Sequence, residues 1–407
     1  MKILLVNKYF YIKGGAENSF FETARLLKSH EHEIVFFSMK HSNNYESHYS
    51  EFFVSNVDYL RKTSLDVFKN SAKLLYSFEA RDNIEKLISR TKPEIAHINN
   101  IYHQISPSIL HSFRKYHIPV VMTLRDCKMV CPVYSLFFDG KICEKCRNGK
   151  YYECLVRKCV KGSFLKSILG TFEMYLHHKI LKIYNLVDIF ISPSYFLKVK
   201  LHELGFKKEI VVLPNFVDIN NFVPQFSWSE NSIVYFGRLA EGKGLLNLIK
   251  SVKGLPLRLK IVGIGPLKES LELYVKSQCI ENVDFLGYLK DGKLNQEVCK
   301  SMFVVLPSES YEVFGRTILE GFALGKPAIA SRIGGATELV KDGETGLTFE
   351  SSNSNDLRSK ILQLSENPDK IISMGKKARK YIEVELNGSK HYERLLEIYR
   401  RAIKMTN

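Results

Sequence analysis

Two carboxylates and two cations stand out as the side chains best suited to chemistry: Glu312 and Glu320, Arg238 and Lys243. Glu312 follows the apolar run Met302–Leu306, which reads as a short buried strand closing on Pro307-Ser308. Helical spacing resumes after Gly315, with Ile318, Leu319, Phe322 and Ala323 on one face, so Glu320 falls in the first turns of a helix. Arg238 and Lys243 lie in the glycine-punctuated stretch Gly237–Gly244, between a strand at Ile233–Phe236 and an apolar helix from Leu245. Cations and free N–H groups in such a loop can meet a diphosphate, while carboxylates at the carboxyl end of a parallel sheet can accept from the hydroxyls of a ligand. Each feature alone is ordinary. A lone glutamate at a helix start is favoured by the helix dipole, and a basic pair in a loop is usually solvated.

The elements that must position these groups recur in order. Leu259–Val262 leads into the tight turn Gly263–Pro266, and Phe285–Gly287 ends another strand. Ala328–Ser331 is followed by Gly334-Gly335, Glu338 and the loop Lys341–Gly346. Together, over about 220 to 350, these motifs resemble the nucleotide-sugar-binding half of the family 4 glycosyltransferases, retaining enzymes of the GT-B fold. The resemblance implies an α/β architecture of two Rossmann-like, doubly wound parallel-sheet domains facing a cleft, with a C-terminal helix crossing back to the first domain. It implies that Arg238 and Lys243 neutralise the departing diphosphate, that Glu312 holds hydroxyls of the donor sugar, and that Glu320 accepts hydroxyls of the ribose. Backbone at Phe314, Gly315 and Arg316 would contact phosphate or sugar, and Gly237, Gly263 and Gly287 would line the donor pocket. No catalytic cofactor is implied, because cations do the work of a metal.

The N-terminal half agrees. A strand at Lys2–Val6 precedes Lys13-Gly14-Gly15-Ala16, which opens a helix through Phe20, Phe21, Ala24 and Leu27. A glycine pair at this point lets backbone approach a ligand, and in the family the matching loop lies beside the donor phosphates. His32–Phe37, Glu94–Asn100 and Pro119–Leu124 read as further strands with polar ends. Relatives commonly carry His-Asp after the last of these, where this chain has Arg125-Asp126. Arginine cannot shuttle protons at neutral pH, but it can stabilise an anion. His97, Asn99 and Asn100 join Arg125 and Asp126 as acceptor-side candidates; a buried structural role for His97 is equally open.

The chain has 407 residues, 45% of them apolar, enough for two domains with real cores. The expected division is 1–217 for the acceptor domain, 218–388 for the donor domain and 389–407 for the returning helix. The formal net charge is +16, and residues 1–220 carry 32 Lys and Arg against 21 Asp and Glu. No apolar run approaches bilayer-spanning length and a strand is expected from Lys2, so neither a membrane span nor a signal peptide is expected. A basic N-terminal half suits an enzyme in the cytoplasm, peripheral at the inner face of the plasma membrane, acting on a saccharide or polyprenyl-diphosphate-linked acceptor in surface-polysaccharide assembly. The donor is expected to be a nucleotide sugar, uridine being the commonest nucleotide. No aromatic-basic nucleic-acid module is visible, so nucleic acid is not an expected partner.

Six of eight cysteines fall in an insertion at about 127–163. Cys143-Glu144-Lys145-Cys146 is a knuckle suited to zinc, and some relatives carry a similar insertion. The expected ligands are Cys131, Cys143, Cys146 and Cys159, with Cys154 as a rival fourth; disulfides and free thiols remain alternatives. Leu165–Leu186 and Val57–Arg90 mix apolar residues with lysines. The first reads most simply as a core-facing helix, since Val187–Ser192 follows as a buried strand; a membrane-facing role is open for both. A nucleotide-sugar epimerase and a zinc-stapled adaptor remain as other function classes.

Overall fold

A computed structural model describes residues 1–56, 73–290 and 292–406. The stretch Val57–Arg90 therefore falls partly outside the described residues.

The first domain is a six-stranded parallel sheet. In chain order its strands are β1 (Lys2–Val6), β2 (Glu33–Phe37), β3 (Ile95–Ile98) and β4 (Val120–Thr123). A two-stranded hairpin, β5 (Phe137–Phe138) and β6 (Lys141–Ile142), interrupts before β7 (Ile189–Ser192) and β8 (Ile210–Val212) complete the sheet in the order β2-β1-β3-β4-β7-β8. The second domain holds β9 (Ser232–Phe236), β10 (Arg258–Val262), β11 (Val283–Gly287), β12 (Val304–Leu306), β13 (Ala328–Ser331) and β14 (Gly346–Phe349), in the order β11-β10-β9-β12-β13-β14. Both orders reverse beside the first strand of their half, which opens a crevice at the carboxyl ends of the strands. Helices cover both faces of each sheet, so the strands are apolar on both sides and read as continuous runs rather than alternating ones.

The chain leaves the first sheet at Val212 and enters the second at Ser232. Helix Gly388–Thr406 returns to the first domain, where Leu395, Ile398, Tyr399 and Ala402 pack with Ile3, Leu5, Phe20 and Val121. The expected GT-B arrangement is thus the observed one. Strand β14 and the β5–β6 hairpin were not anticipated: the hairpin strands are two residues each, too short to carry a pattern.

Candidate active site between the two sheets

The carboxyl ends of β9, β10 and β11 bring three predicted glycines side by side. Gly237 N–H donates to the Val262 carbonyl at 3.0 Å, and Gly263 N–H to the Gly287 carbonyl at 2.7 Å. The loop after β9 is pinned by Tyr235 Oη, which donates to the Arg238 carbonyl at 2.9 Å, leaving the Arg238 side chain exposed. Gly244 sits at φ +67° against the Pro307 carbonyl, where any β-carbon would collide; only glycine lets these two loops approach so closely.

That approach puts Lys243 on Glu312. Lys243 Nζ and Ser308 Oγ both donate to Glu312 Oε1 at 2.5 Å. Burial pushes the Glu312 pKa up, but Lys243 and Ser308 outweigh it, and the net direction is down. The carboxylate is held ionised. Thr317 Oγ1 donates to the Phe236 carbonyl at 3.0 Å, tying the start of helix Arg316–Ala323 to the end of β9. Phe314 is buried and Gly315 caps that helix without a side-chain partner, so the N–H groups of Arg316 and Thr317 have no intrahelical acceptor.

Arg316, expected to act through its backbone, does more with its side chain. Its Nε donates to Glu320 Oε1 at 2.6 Å, while its two terminal nitrogens grip both oxygens of Glu22 at 2.7 and 2.6 Å. Glu22 belongs to helix Gly15–Ser29 of the first domain, so this is a bidentate bridge across the cleft. Burial raises the pKa of Glu320, with Arg316 opposing only in part. Gly15 lies beneath the bridge: a β-carbon there would stand 3.3 Å from Arg316 Cδ. Gly15 therefore faces Arg316 of the second domain. Glu22 itself was missed; the available signal was its place three residues after Ser19 and next to Thr23, which are both buried polar residues of that helix.

The acceptor-side candidates divide. Arg125 Nε donates to Asn99 Oδ1 at 3.0 Å and its Nη1 to Asn215 Oδ1 at 2.6 Å. Burial and the neighbouring Arg316 pull its pKa down to about 10, so it stays a cation at neutral pH. Arg125 shares a small cavity with Glu22, Thr123, Asn215 and His391. His97 also reaches that cavity, but both its nitrogens are engaged, Nδ1 with Tyr399 Oη and Nε2 with Thr123 Oγ1, each at 2.7 Å. Buried and kept neutral with a pKa near 3, it docks the returning helix, in keeping with the structural role left open for it above. Asn100 is buried with Oδ1 unpartnered. Asp126 turns away from Arg125, its Oδ1 accepting from Lys128 N–H at 2.9 Å. Burial raises its pKa against the pull of that N–H group, Lys8 and Lys128.

The insertion packs against both domains. Glu144 accepts from Tyr311 Oη at 2.7 Å and pairs with Lys200 at 3.0 Å, so the knuckle touches the residue preceding Glu312. Cys131, Cys143, Cys146, Cys154 and Cys159 line one apolar cavity, and none of the eight cysteines is in a disulfide. Among the described residues, however, no three His, Cys, Asp or Glu side chains stand close enough to share a metal ion. The expected core-facing helix is corrected too: helix Phe164–Tyr175 turns Phe164, Leu165, Ile168 and Phe172 to solvent.

Known proteins share this architecture. Residues 13–221 match the family model for Glycosyltransferase Family 4 and residues 218–381 that for Glycosyl transferases group 1. An uncharacterised glycosyltransferase of Methanocaldococcus jannaschii is 25% identical over 94% of this chain and 93% of its own. The D-rhamnosyltransferase WbpZ of Pseudomonas aeruginosa is 34% identical over 36% of this chain and 39% of its own. Sucrose-phosphate synthase from Thermosynechococcus elongatus superposes with a TM-score of 0.73 at 17% identity, each chain covered in full. Anabaena HepE in complex with UDP-glucose gives 0.69 at 17% identity, over 98% of this chain and 100% of that one. The chain belongs to glycosyltransferase family 4 and is a glycosyltransferase of the GT-B fold.

Proposed function

We propose that the protein transfers a sugar, with retention at the anomeric carbon, from a nucleoside-diphosphate sugar to a hydroxyl of a saccharide or polyprenyl-diphosphate-linked saccharide in surface-polysaccharide assembly. The observation that carries this reading is the contact of Lys243 with Glu312, in a loop that also carries the exposed Arg238. Lys243 and Arg238 neutralise the leaving diphosphate, an electrostatic task worth most where water is excluded. Glu312 accepts from hydroxyls of the donor sugar and orients Lys243 in its absence. Glu320, with Arg316 as its partner, accepts from the ribose. Gly237, Gly263 and Gly287 shape the pocket around the base, and the N–H groups at Phe314, Gly315 and Arg316 meet phosphate or sugar. Uridine is the nucleotide we favour, in keeping with the UDP-glucose complex of the Anabaena relative.

On the acceptor side, Arg125 supplies positive charge close to the cleft, and the unpartnered Asn100 Oδ1 supplies an acceptor for a sugar hydroxyl. Asn99 holds Arg125 in place, and Asp126 orders the loop behind it. The five-thiol cavity supports a structural zinc held by Cys131, Cys143, Cys146 and either Cys159 or Cys154; side-chain rotation would have to bring four thiolates together. Metal analysis tests this, and less than about a tenth of an equivalent of zinc rejects it. Unpaired cysteines accord with a reducing compartment, the cytoplasm. The transfer reading is tested by a thermal-shift panel of nucleotide sugars followed by transfer assays on lipid-linked acceptors. A donor that stabilises the protein and yields an α-linked product from an α-linked donor is expected; inversion or no transfer from any donor would overturn it.

A further inference from the structure

Helix Phe164–Tyr175 is amphipathic the wrong way round for a globular core. Phe164, Leu165, Ile168 and Phe172 are 53%, 76%, 40% and 48% exposed, and at 3.6 residues per turn they fall within an arc of about 100°. The polar residues Ser167, Thr171 and Glu173 are buried instead. Each of these is committed. Ser167 Oγ accepts from Val160 N–H at 3.1 Å, Thr171 Oγ1 donates to the Tyr151 carbonyl at 3.3 Å, and Glu173 Oε2 pairs with the buried Lys128 Nζ at 2.7 Å. Rotating the helix to hide its apolar arc would strand all three groups, so the arc is a fixed feature of the surface.

The apolar surface extends beyond the helix. Val156 is 72% exposed on the neighbouring helix Tyr152–Val156, and Ile180 is 65% exposed at the far end. Around it stand Lys158, Lys161, Lys166, Lys179 and Lys182, all exposed and without an acidic partner among the described residues. Between Val156 and Lys182 the only acidic residue is Glu173, already neutralised inside. Apolar side chains ringed by one sign of charge fit a partner that is both oily and anionic. No described helix is long and apolar enough to cross a membrane, so the fit is to a bilayer's surface.

We infer that this face, from Val156 to Lys182, docks the protein on an anionic lipid bilayer, the apolar arc entering the interface and the lysines meeting the headgroups. The Lys128–Glu173 pair ties the helix to the loop after β4, which carries Arg125 and Asp126. Docking therefore sets the acceptor side of the cleft near the bilayer, where a lipid-linked acceptor would present its sugar. That consequence rests on the acceptor proposed above; the docking rests on the surface alone.

The test is co-sedimentation with vesicles of phosphatidylcholine, with and without phosphatidylglycerol, comparing the wild-type chain with the doubly substituted L165S/F172S and with K161E/K166E. Both pairs are exposed, so folding should survive. Wild-type protein is expected to sediment only with phosphatidylglycerol present, less so in added salt, and each variant to bind about tenfold more weakly or less. Equal binding by the variants, or binding indifferent to phosphatidylglycerol, would overturn the inference. So would a wild-type dimer in analytical ultracentrifugation that L165S/F172S dissociates, since a second copy would then be the occupant. Turnover on a water-soluble saccharide acceptor separates the two proposals. Docking that fails leaves such turnover intact, whereas a wrong transfer reading leaves vesicle binding intact and turnover absent.

Discussion

The two walls of the cleft treat their polar groups differently. On the second domain's wall the charges sit in ion pairs: Lys243 with Glu312, Arg316 with Glu320 and, across the cleft, with Glu22 of the first domain. Deeper on the first domain's wall two groups are locked to neutral partners: His97 between a tyrosine and a threonine, Arg125 between two amides. An ion pair at a site's mouth can hand one member to a ligand carrying matching charge and hydroxyls. A histidine with both nitrogens taken has nothing to hand over. The wall built of ion pairs is suited to grip a donor, and the wall built of amides keeps its cation in place whether or not an acceptor is present.

Breaking the second domain's wall should have the larger effect. Replacing Lys243 with methionine is expected to lower turnover by about 10²–10³, with K243R recovering part of it and circular dichroism unchanged. If turnover falls less than about threefold, Lys243 is not at the diphosphate. Cutting the bridge across the cleft comes next. Glu22→Gln leaves Arg316 with a neutral partner and should raise the donor KM and lower the melting temperature together, because one residue serves both domain contact and Glu320. A change in melting temperature alone would confine the bridge to structure.

Acid should sharpen the contrast within the donor wall. The Glu320 pKa is raised and the Glu312 pKa lowered, so on acidification Glu320 is neutralised first. Donor affinity is expected to fall as pH drops through the raised Glu320 value, while the Lys243–Glu312 pair persists to lower pH. E320Q should flatten that fall, and an unchanged pH profile would remove Glu320 from the ribose. The smallest functional effect is expected from the first domain's neutral lock. His97→Gln should cost about 1–3 kcal/mol of stability, measured by urea unfolding, and leave the acceptor KM unchanged. A tenfold rise in that KM would restore His97 to the acceptor side.

What could be read in the sequence follows the same division. Lys243, Glu312, Gly237 and Gly263 sit at strand ends beside glycines whose backbone demands are local, so pattern placed them at strand ends and the family resemblance gave them their expected roles. Arg316 was located but its bridge was not, because Glu22 lies 294 residues away and nothing local marks the pairing. His97 was left open between two roles for the same reason: its partner Tyr399 is 302 residues distant, on the helix that crosses back. Helix Phe164–Tyr175 had a clear apolar stripe, yet periodicity reports only that a stripe exists. Which way it faces was decided by Lys128, fixed in the loop after β4 and needing Glu173 as its buried partner. The five cysteines were brought to one cavity as their spacing suggested, without the closeness that four ligands require.

The central physical claim is that two basic side chains after β9 receive the diphosphate of the donor. Calorimetric titration of UDP, GDP and ADP into the wild-type chain, K243M and R238M tests it most directly. One nucleotide should bind the wild type, and each substitution should weaken that binding about tenfold or more while the fold is retained. Equal affinity in the wild type and both variants would contradict the account.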